Sequence, residues 1–417
     1  MESKRILFII PTLKKGGAER VLSILTLHLN GYEKDIVIFE GGADYFFKGN
    51  LINLNTKASQ NILLKLKNLI VRYLKLSKIK NQSHYIASIS FLDNANFFNI
   101  ITKKREKTII SVRSNPKENL ANNPFYSTGI KGKFIRLTYS YILKKLFKKT
   151  DLCIAVSKGV ANSLSEDFSI DKNKIKVIYN PYPIEEIEEK AKEEPEKIFK
   201  TFPYIITVGR LTKQKGQWHL LRIFKELKKD FPNLRLLILG EGELKEYLYN
   251  LSLNLGLKTY LWEKDNLDEN FDVYFLGFKK NPFKYISKAK LFVFPSLWEG
   301  FPNALVEAMV CGVPVISSDC RSGPREILAP DTDFKYQTQE SEFAKYGVLM
   351  PVLEGEFLSK KEPLTIVEKI WLETIKNFLL KNTLREHYAF KAKERALDFH
   401  VKNIVKKWIE IIEKEVD

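Results

Sequence analysis

Continuous apolar runs recur along the chain, each followed by a turn and then by a stretch with helical spacing. The first, Lys4 to Pro11 (KRILFIIP), has no alternation, which is the pattern of a strand buried on both faces of a parallel sheet. Similar runs at residues 34–39, 85–91, 107–113, 151–156 and 174–179 predict further strands. Between them, apolar residues spaced three and four apart predict helices from about Glu19 to Leu29, Asn61 to Lys80 and Lys133 to Lys149. Strands alternating with helices imply an α/β fold whose parallel sheet is joined by right-handed crossovers. At Asn180-Pro-Tyr-Pro183 the pattern breaks, and the charged run Glu185 to Lys200 reads as a domain linker. A second series of strand and helix patterns begins with Tyr204-Ile-Ile-Thr-Val-Gly-Arg210. The expected boundary therefore separates residues 1–183 from 184–399.

The richest stretch is 290–318, KLFVFPSLWEGFPNALVEAMVCGVPVISS. A strand at Leu291 to Phe294 runs through a turn into a helix that is expected to begin at Pro302, where the missing N–H costs nothing. The amides of Asn303, Ala304 and Leu305 then lie at the positive end of the helix dipole, an arrangement suited to phosphate. Glu299 stands in the turn and Glu307 in the second helical turn, so a ribose and a second sugar can each meet a carboxylate across an anion site. That is the outline of a nucleotide sugar. Arg210 and Lys215, in the first turn of the second series, supply cations for the diphosphate. Gly16 and Gly17, after the first strand, allow close approach of a ligand to backbone.

Taken together, these pieces resemble the family-4 retaining glycosyltransferases. The match lies in Glu299-Gly-Phe with Glu307-Ala-Met of the EGF(x)4–5EA(M/L)xxGxPV signature. It extends to VGRLTKQKG (208–216), LILGEGEL (237–244), FLGFKKNPFKYISKAKLFVFPS (275–296), SGPREIL (322–328) and KKGGAER (14–20). The resemblance implies the GT-B fold: two facing Rossmann-like domains with parallel sheets and a cleft between them. It also implies a last helix, about 400–417, that packs back on the first domain. It assigns Glu299 to the donor sugar's hydroxyls and Glu307 to the ribose, with Gly209, Gly300, Phe301, Asn303, Ala304 and Leu305 also at the donor. Gly16 and Gly17 border the diphosphate and acceptor. Arg113, in IISVRSNP, stands near where many members carry a histidine, so a catalytic role passes to it with a change of chemistry. The reaction implied is transfer of a hexose or N-acetylhexosamine from a uridine-diphosphate sugar with retention. The implied acceptor is a glycan on a polyprenyl-diphosphate carrier in bacterial surface-polysaccharide synthesis.

Composition adds the setting. The chain has 417 residues, 44% hydrophobic, enough for two cores. No apolar run approaches the length of a membrane span, and Met-Glu-Ser-Lys-Arg leads straight into a strand, so a cytoplasmic protein is expected. Cys153, Cys311 and Cys320 have no paired spacing, and five scattered histidines form no metal pattern. Asp331-Thr-Asp333 follows a helix and loop rather than a strand and reads as a loop. No metal and no cofactor are expected, the nucleotide sugar being a substrate.

Charge is uneven. Residues 1–180 hold 31 Lys and Arg against 13 Asp and Glu, which accounts for the whole formal excess of +18. Within the helices at 61–80 and 133–149, Lys65, Arg72, Lys75, Arg136, Lys144, Lys145, Lys148 and Lys149 border apolar stripes, which points to an anionic membrane surface on the inner face of the cell. A different class of reading, a non-catalytic nucleic-acid-binding module, draws on Tyr139, Tyr141 and Phe147 beside these cations, but no nucleic-acid motif accompanies them. Transfer to a soluble glucan or metabolite is the nearer alternative. The stretches 258–272, 330–346 and 354–362 read as surface insertions.

Overall fold

The computed structural model describes residues 4–14, 16–57, 59, 61–118, 129–358 and 362–414, with the side chains of 129–131, 133–136 and 139 outside that description. Two compact units emerge, one of Met1–Tyr182 with Phe399–Asp417 and one of Pro183–Asp398.

In the first unit seven strands form one parallel sheet: β1 (Arg5–Ile10), β2 (Glu33–Ile38), β3 (Asn50–Asn53), β4 (Tyr85–Phe91), β5 (Lys107–Val112), β6 (Leu152–Ala155) and β7 (Ile175–Val177). Their order is β3-β2-β1-β4-β5-β6-β7, with Arg5 opposite Glu33 and Ile10 opposite Ile38. The order reverses between β1 and β4. Helices α1 (Gly17–His28), α2 (Ile62–Gln82), α3 (Asp93–Ile101), α4 (Gly129–Phe147) and α5 (Lys158–Glu166) make the crossovers. Ile6, Phe8 and Ile10 pack on α1 from one side of the sheet, while Leu7, Ile9 and Val37 pack with α3 and Leu76 on the other. This is the two-faced burial that an unbroken apolar strand requires.

The second unit has β8 (Tyr204–Val208), β9 (Arg235–Leu239), β10 (Thr259–Leu261), β11 (Val273–Phe275), β12 (Leu291–Phe294), β13 (Val315–Ser318), β14 (Glu342–Phe343) and β15 (Val348–Met350). The order is β10-β11-β9-β8-β12-β13-β15-β14, parallel except for β14 against β15. Here the order reverses between β8 and β12. Its helices are α6 (Ile184–Lys192), α7 (Gln217–Asp230), α8 (Lys245–Asn254), α9 (Phe283–Ile286), α10 (Asn303–Val310), α11 (Pro324–Leu328), α12 (Ile366–Leu380) and α13 (Asn382–Ala396). The fold is thus α/β with parallel sheets in two domains, the GT-B class.

A last helix, α14 (Val401–Glu413), belongs to the first unit. Val401, Ile404, Val405, Trp408 and Ile412 lie three and four apart and join the β1, β4 and α1 core. Trp408 stacks on Phe91 at 6.1 Å between ring centroids. Chain reversal is fixed by Tyr182, whose amide donates to Phe399 O at 3.0 Å and whose carbonyl accepts from Val401 N at 2.8 Å.

Several expectations need correction. The charged run from Glu185 is not a linker: it folds as α6, burying Ile184 and Ile187 and pairing Glu186 with Lys190 one turn apart. Pro302 is the residue before α10, with φ −75° and ψ 105°, not its first helical residue. The polar strand β3 and the edge strand β14, which lies inside the 330–346 stretch, carry too little apolar pattern to be expected. Arg72 does not face solvent, and Lys75, though exposed, is engaged by the protein. Arg72 is buried, donating to Thr56 Oγ1 at 2.8 Å and lying 4.6 Å from the Phe39 ring centroid, and Lys75 donates to Leu54 O at 2.8 Å.

A buried polar network explains how α2 and α3 attach. Lys80 Nζ, fully enclosed, meets Glu106 Oε1 at 2.6 Å and Asn99 Oδ1 at 2.7 Å. Asn99 donates onward to the carbonyls of Ser88 and Ile109. Burial pushes the Lys80 pKa down to about 8, with the Glu106 carboxylate opposing.

Since Trp408 carries the packing of α14 on β4, Trp408→Ala should cost the first unit about 3–5 kcal/mol. Urea denaturation reads this as a lower midpoint with the slope unchanged; an unaltered midpoint would show that α14 adds no stability.

Candidate active site

Open α/β sheets bind ligands beyond the carboxyl ends of the strands, where the strand order reverses. In the second unit that point lies between β8 and β12, so the turns leaving these two strands are neighbours. One is Gly209 to Gly216; the other is Pro295 to Pro302. Leu297 N donates to Gln214 O at 2.8 Å, and Gln214 Nε2 donates to Trp298 O at 2.7 Å, tying the turns together. Gly216 makes the approach possible. It is left-handed at φ +61°, and a Cβ there would lie 2.3 Å from Pro295 O. Gly240, at φ +141°, lets the turn after β9 close on the first in the same way, since its Cβ would fall 1.9 Å from Gly209 O.

Across this junction Lys215 Nζ is hydrogen-bonded to Glu299 Oε1, with both side chains largely withdrawn from solvent. The ammonium also lies 4.9 Å from the Phe294 ring centroid. A buried carboxylate without a counter-charge is strongly destabilising, so the pair holds each partner in place. Behind it, burial and the neighbouring Glu299 carboxylate raise the Cys320 thiol well above its usual range. Glu299 N donates to Arg321 O at 3.3 Å, which fixes the turn to the segment following β13.

The sequence-predicted residues of this unit come together around the pair. Gly300 and Phe301 are buried beside Glu299, and Asn303, Ala304 and Leu305 form the first turn of α10. Glu307 is buried one turn further on. Gly209 lies against the Lys215 stem, and Arg210 is exposed in the same turn. The remaining predicted residues lie in the first unit. Gly16, extended at φ −177°, precedes α1, which Gly17 opens, and the Glu19 carboxylate folds over it so closely that a Cβ would sit 2.1 Å from Oε2. Arg113 follows β5. It donates to Asn180 Oδ1 and to Ser111 Oγ at 3.4 Å and lies 5.6 Å from the Phe91 ring centroid. Burial lowers its pKa to about 10 against the opposing effect of Tyr182 and Glu19, so it stays a cation at neutral pH.

Sequence reasoning missed three polar atoms. Ser296 Oγ, Thr212 Oγ1 and Gln217 Oε1 are buried without a hydrogen-bond partner among the described residues, and all three belong to the two turns or the start of α7. Buried polar atoms are nearly always paired in folded proteins. Three of the eight such atoms among the described residues thus fall at this one junction. The signal was present only as Ser, Thr and Gln inside glycine-rich turns, too common to single out. The role of the 354–362 stretch was also hidden. Its described part is pinned to α7 by Trp218 Nε1 donating to Glu356 O at 3.0 Å, and Lys213 Nζ lies 5.8 Å from the Phe357 ring centroid, beside the Lys215 turn.

Arg325 of SGPREIL turns away from the two turns. It binds Asp319 Oδ2 and Glu342 Oε2, each at 2.6 Å, and so clamps β14 to the end of β13. Asp331 pairs with Lys345 at 3.2 Å and Asp333 Oδ1 accepts from Lys335 N, a loop arrangement. Among the described residues no cluster of three or more His, Cys, Asp or Glu side chains forms a metal-binding group.

Two parallel-stranded domains, with a cation, a carboxylate and a helix N-terminus at the switch point of the second, fit the GT-B architecture. Sequence comparison gives the family. Residues 188–343 match the model for glycosyl transferases group 1, and residues 98–186 that for glycosyltransferase family 4. The chain is 35% identical over 382 residues to an uncharacterized glycosyltransferase of Methanocaldococcus jannaschii, covering 88% of each. It is 30% identical over 396 residues, 94% of each chain, to the N-acetylgalactosamine-N,N'-diacetylbacillosaminyl-diphospho-undecaprenol 4-alpha-N-acetylgalactosaminyltransferase of Campylobacter jejuni. The crystal structure of Anabaena HepE with UDP and glucose superposes with a TM-score of 0.72 at 18% identity, over 98% of this chain and 99% of that one. The protein belongs to the family-4 glycosyltransferases.

The geometry predicts that Gly216→Ala both destabilises the second unit, by about 1–3 kcal/mol from left-handed strain and the clash with Pro295 O, and separates Lys215 from Glu299. Thermal unfolding and turnover with a nucleotide sugar should fall together. Full turnover in the alanine variant would show that the close approach of the turns is dispensable.

Proposed function

We propose that the enzyme transfers a hexose or N-acetylhexosamine from a UDP-sugar, with retention and without a metal ion, to a glycan carried on polyprenyl diphosphate. In this reading it works at the cytoplasmic face of the membrane in surface-polysaccharide or oligosaccharide synthesis. The observation that carries the proposal is the Lys215–Glu299 pair at the start of α10 with Glu307 one turn beyond. Support also comes from relatives: the Campylobacter enzyme's name specifies a diphospho-undecaprenol acceptor, and HepE was solved with UDP.

In this mechanism the diphosphate lies against the first amides of α10, with Lys215 and Arg210 as its cations. These charges contribute most as the bond to the sugar breaks and negative charge grows on the leaving group. They supply the positive charge that a divalent ion supplies elsewhere. Glu299 accepts hydrogen bonds from the sugar hydroxyls, and its contact with Lys215 couples sugar placement to diphosphate stabilisation. Glu307 accepts from the ribose. Retention follows from attack on the face the leaving group vacates, the donor phosphate taking the acceptor proton. Arg113 replaces the family histidine as a fixed cation, so it acts by charge and hydrogen bonding rather than as a base. Of the three aromatics on which the nucleic-acid reading draws, Phe147 is buried, Tyr141 is exposed, and the Tyr139 side chain lies outside the described residues.

Three measurements bear on this reading. UDP should raise the melting temperature, and an oligonucleotide should not. Glu307→Ala should weaken UDP binding tenfold or more, as expected for the loss of charge-assisted hydrogen bonds worth roughly 1.5–3 kcal/mol, while Glu299→Ala keeps UDP affinity and loses turnover. Equal loss of UDP affinity in both would overturn the division of roles. Lys215→Ala and Arg210→Ala should lower kcat more than they raise KM, and turnover should survive a chelator. Activity lost to the chelator and restored by magnesium or manganese would refute the metal-free mechanism.

A further inference from the structure

Helix α2 is built the wrong way round for a soluble protein. Its sequence, ILLKLKNLIVRYLKLSKIKNQ, has six basic residues and no acidic one. Ordinarily the leucines of such a helix pack on the domain and the lysines face water. Here two cations turn inward. Arg72 and Lys80 are buried and Lys75, though exposed, donates to the Leu54 carbonyl, so the last turns of the helix are held by charged side chains in polar sockets together with Leu76.

The first four turns then present apolar residues outward. Leu63 is 76% exposed, Ile70 60% and Leu74 58%, with Ile62, Leu66 and Tyr73 also open to solvent. At 3.6 residues per turn these six fall within a sector of about 120°. Lys67 and Lys78 border that sector on one side and Lys65 on the other, all three exposed. Exposed apolar side chains scattered singly are ordinary; a continuous stripe along a helix marks an interaction site. Next along the same side of the sheet α3 touches both α2 and α4, and α4 adds exposed Leu137 and Tyr141 beside Lys145, Lys148 and Lys149.

From this we infer that the exposed face of α2 inserts into the interfacial layer of an anionic lipid bilayer, with Lys65, Lys67 and Lys78 reaching the headgroups. Lysines bordering an apolar stripe suit a layer whose hydrocarbon lies below and whose negative charge lies above. A second copy of the chain is a poor partner, because apposing two such faces brings like charges together with no acid in the helix to offset them. The inward cations have a purpose on this account: they anchor the helix without using its leucines, which leaves the apolar stripe available for lipid. The inference gives a physical form to the membrane setting in the proposed function and rests on that reading for its purpose only. Charge alone on this unit would give a weak, salt-sensitive attraction; an inserted stripe gives binding that salt reduces but does not abolish.

The test is flotation of the full-length protein with vesicles of phosphatidylcholine alone or with about a third phosphatidylglycerol, at low salt and at about 0.5 M salt, where screening acts over a few ångströms. Wild type should float with the anionic vesicles at low salt and keep part of its binding at high salt. Leu63→Ser/Ile70→Ser/Leu74→Ser should reduce binding at least tenfold while its melting temperature and its shift with UDP stay close to wild-type values, since these side chains are mostly exposed. Lys67→Glu/Lys78→Glu should lower binding to anionic vesicles only. Unchanged flotation of the triple serine variant, absence of wild-type flotation, or a wild-type dimer that the triple variant dissolves would each overturn the insertion. UDP binding and sugar transfer are read separately, so a protein that floats without turning over refutes the enzymatic reading and leaves the anchor standing.

Discussion

The contact between Lys215 and Glu299 is the constraint around which the second domain is arranged. It joins two turns far apart in sequence that meet because β8 and β12 are neighbours where the strand order reverses. Bringing an ammonium and a carboxylate out of water is costly, and the cost is offset only when geometry is held tightly. Gly216 against the Pro295 carbonyl, Leu297 bonded to Gln214, and Gln214 bonded to Trp298 supply that tightness. The same packing sets the first amides of α10 beside the pair. Each element of the proposed chemistry therefore follows from one close approach of backbone.

The parallel architecture was legible because its strands are rich in apolar residues; β1 and β12 lie within nearly unbroken apolar runs, while β4, β5 and β8 carry a serine or threonine among theirs. The two turns that meet at the switch point were legible as turns too, from their glycines and proline. What stayed hidden depends on tertiary context. The strand β3 is half polar and forms because β2 offers an edge. The run from Glu185 looked like a solvated linker because its charges outnumber its apolar residues, yet Ile184 and Ile187 suffice to seat α6. The orphaned atoms of Ser296, Thr212 and Gln217 become informative only when burial is known.

Charge was the least legible property. The basic excess of the first half suggested cations on the surface, and many are there. Arg72 and Lys80, however, are buried, one on an aromatic ring and a threonine, the other on Glu106 and Asn99. Long cationic side chains carry apolar stems, so a helical wheel cannot say which way they turn. The socket for Lys80 is built by α3, β4 and the loop before β5, and that for Arg72 by Phe39 and Thr56 just beyond β2 and β3. Inversion of α2 is thus a property of the whole unit rather than of the helix.

The account stands on Lys215 and Glu299 acting as one unit, and a double-mutant cycle on kcat/KM for sugar transfer from the preferred UDP-sugar tests that most directly. Lys215→Met, Glu299→Gln and the double variant are compared with wild type, with thermal unfolding measured on each to confirm a folded second domain. If the pair is a unit, the second substitution costs little once the first is made, and the coupling amounts to about 1 kcal/mol or more, within the range of residues in one salt-bridge network. Losses that simply add, with coupling within about 0.3–0.5 kcal/mol of zero, would mean that the two side chains serve the reaction independently and would contradict the account.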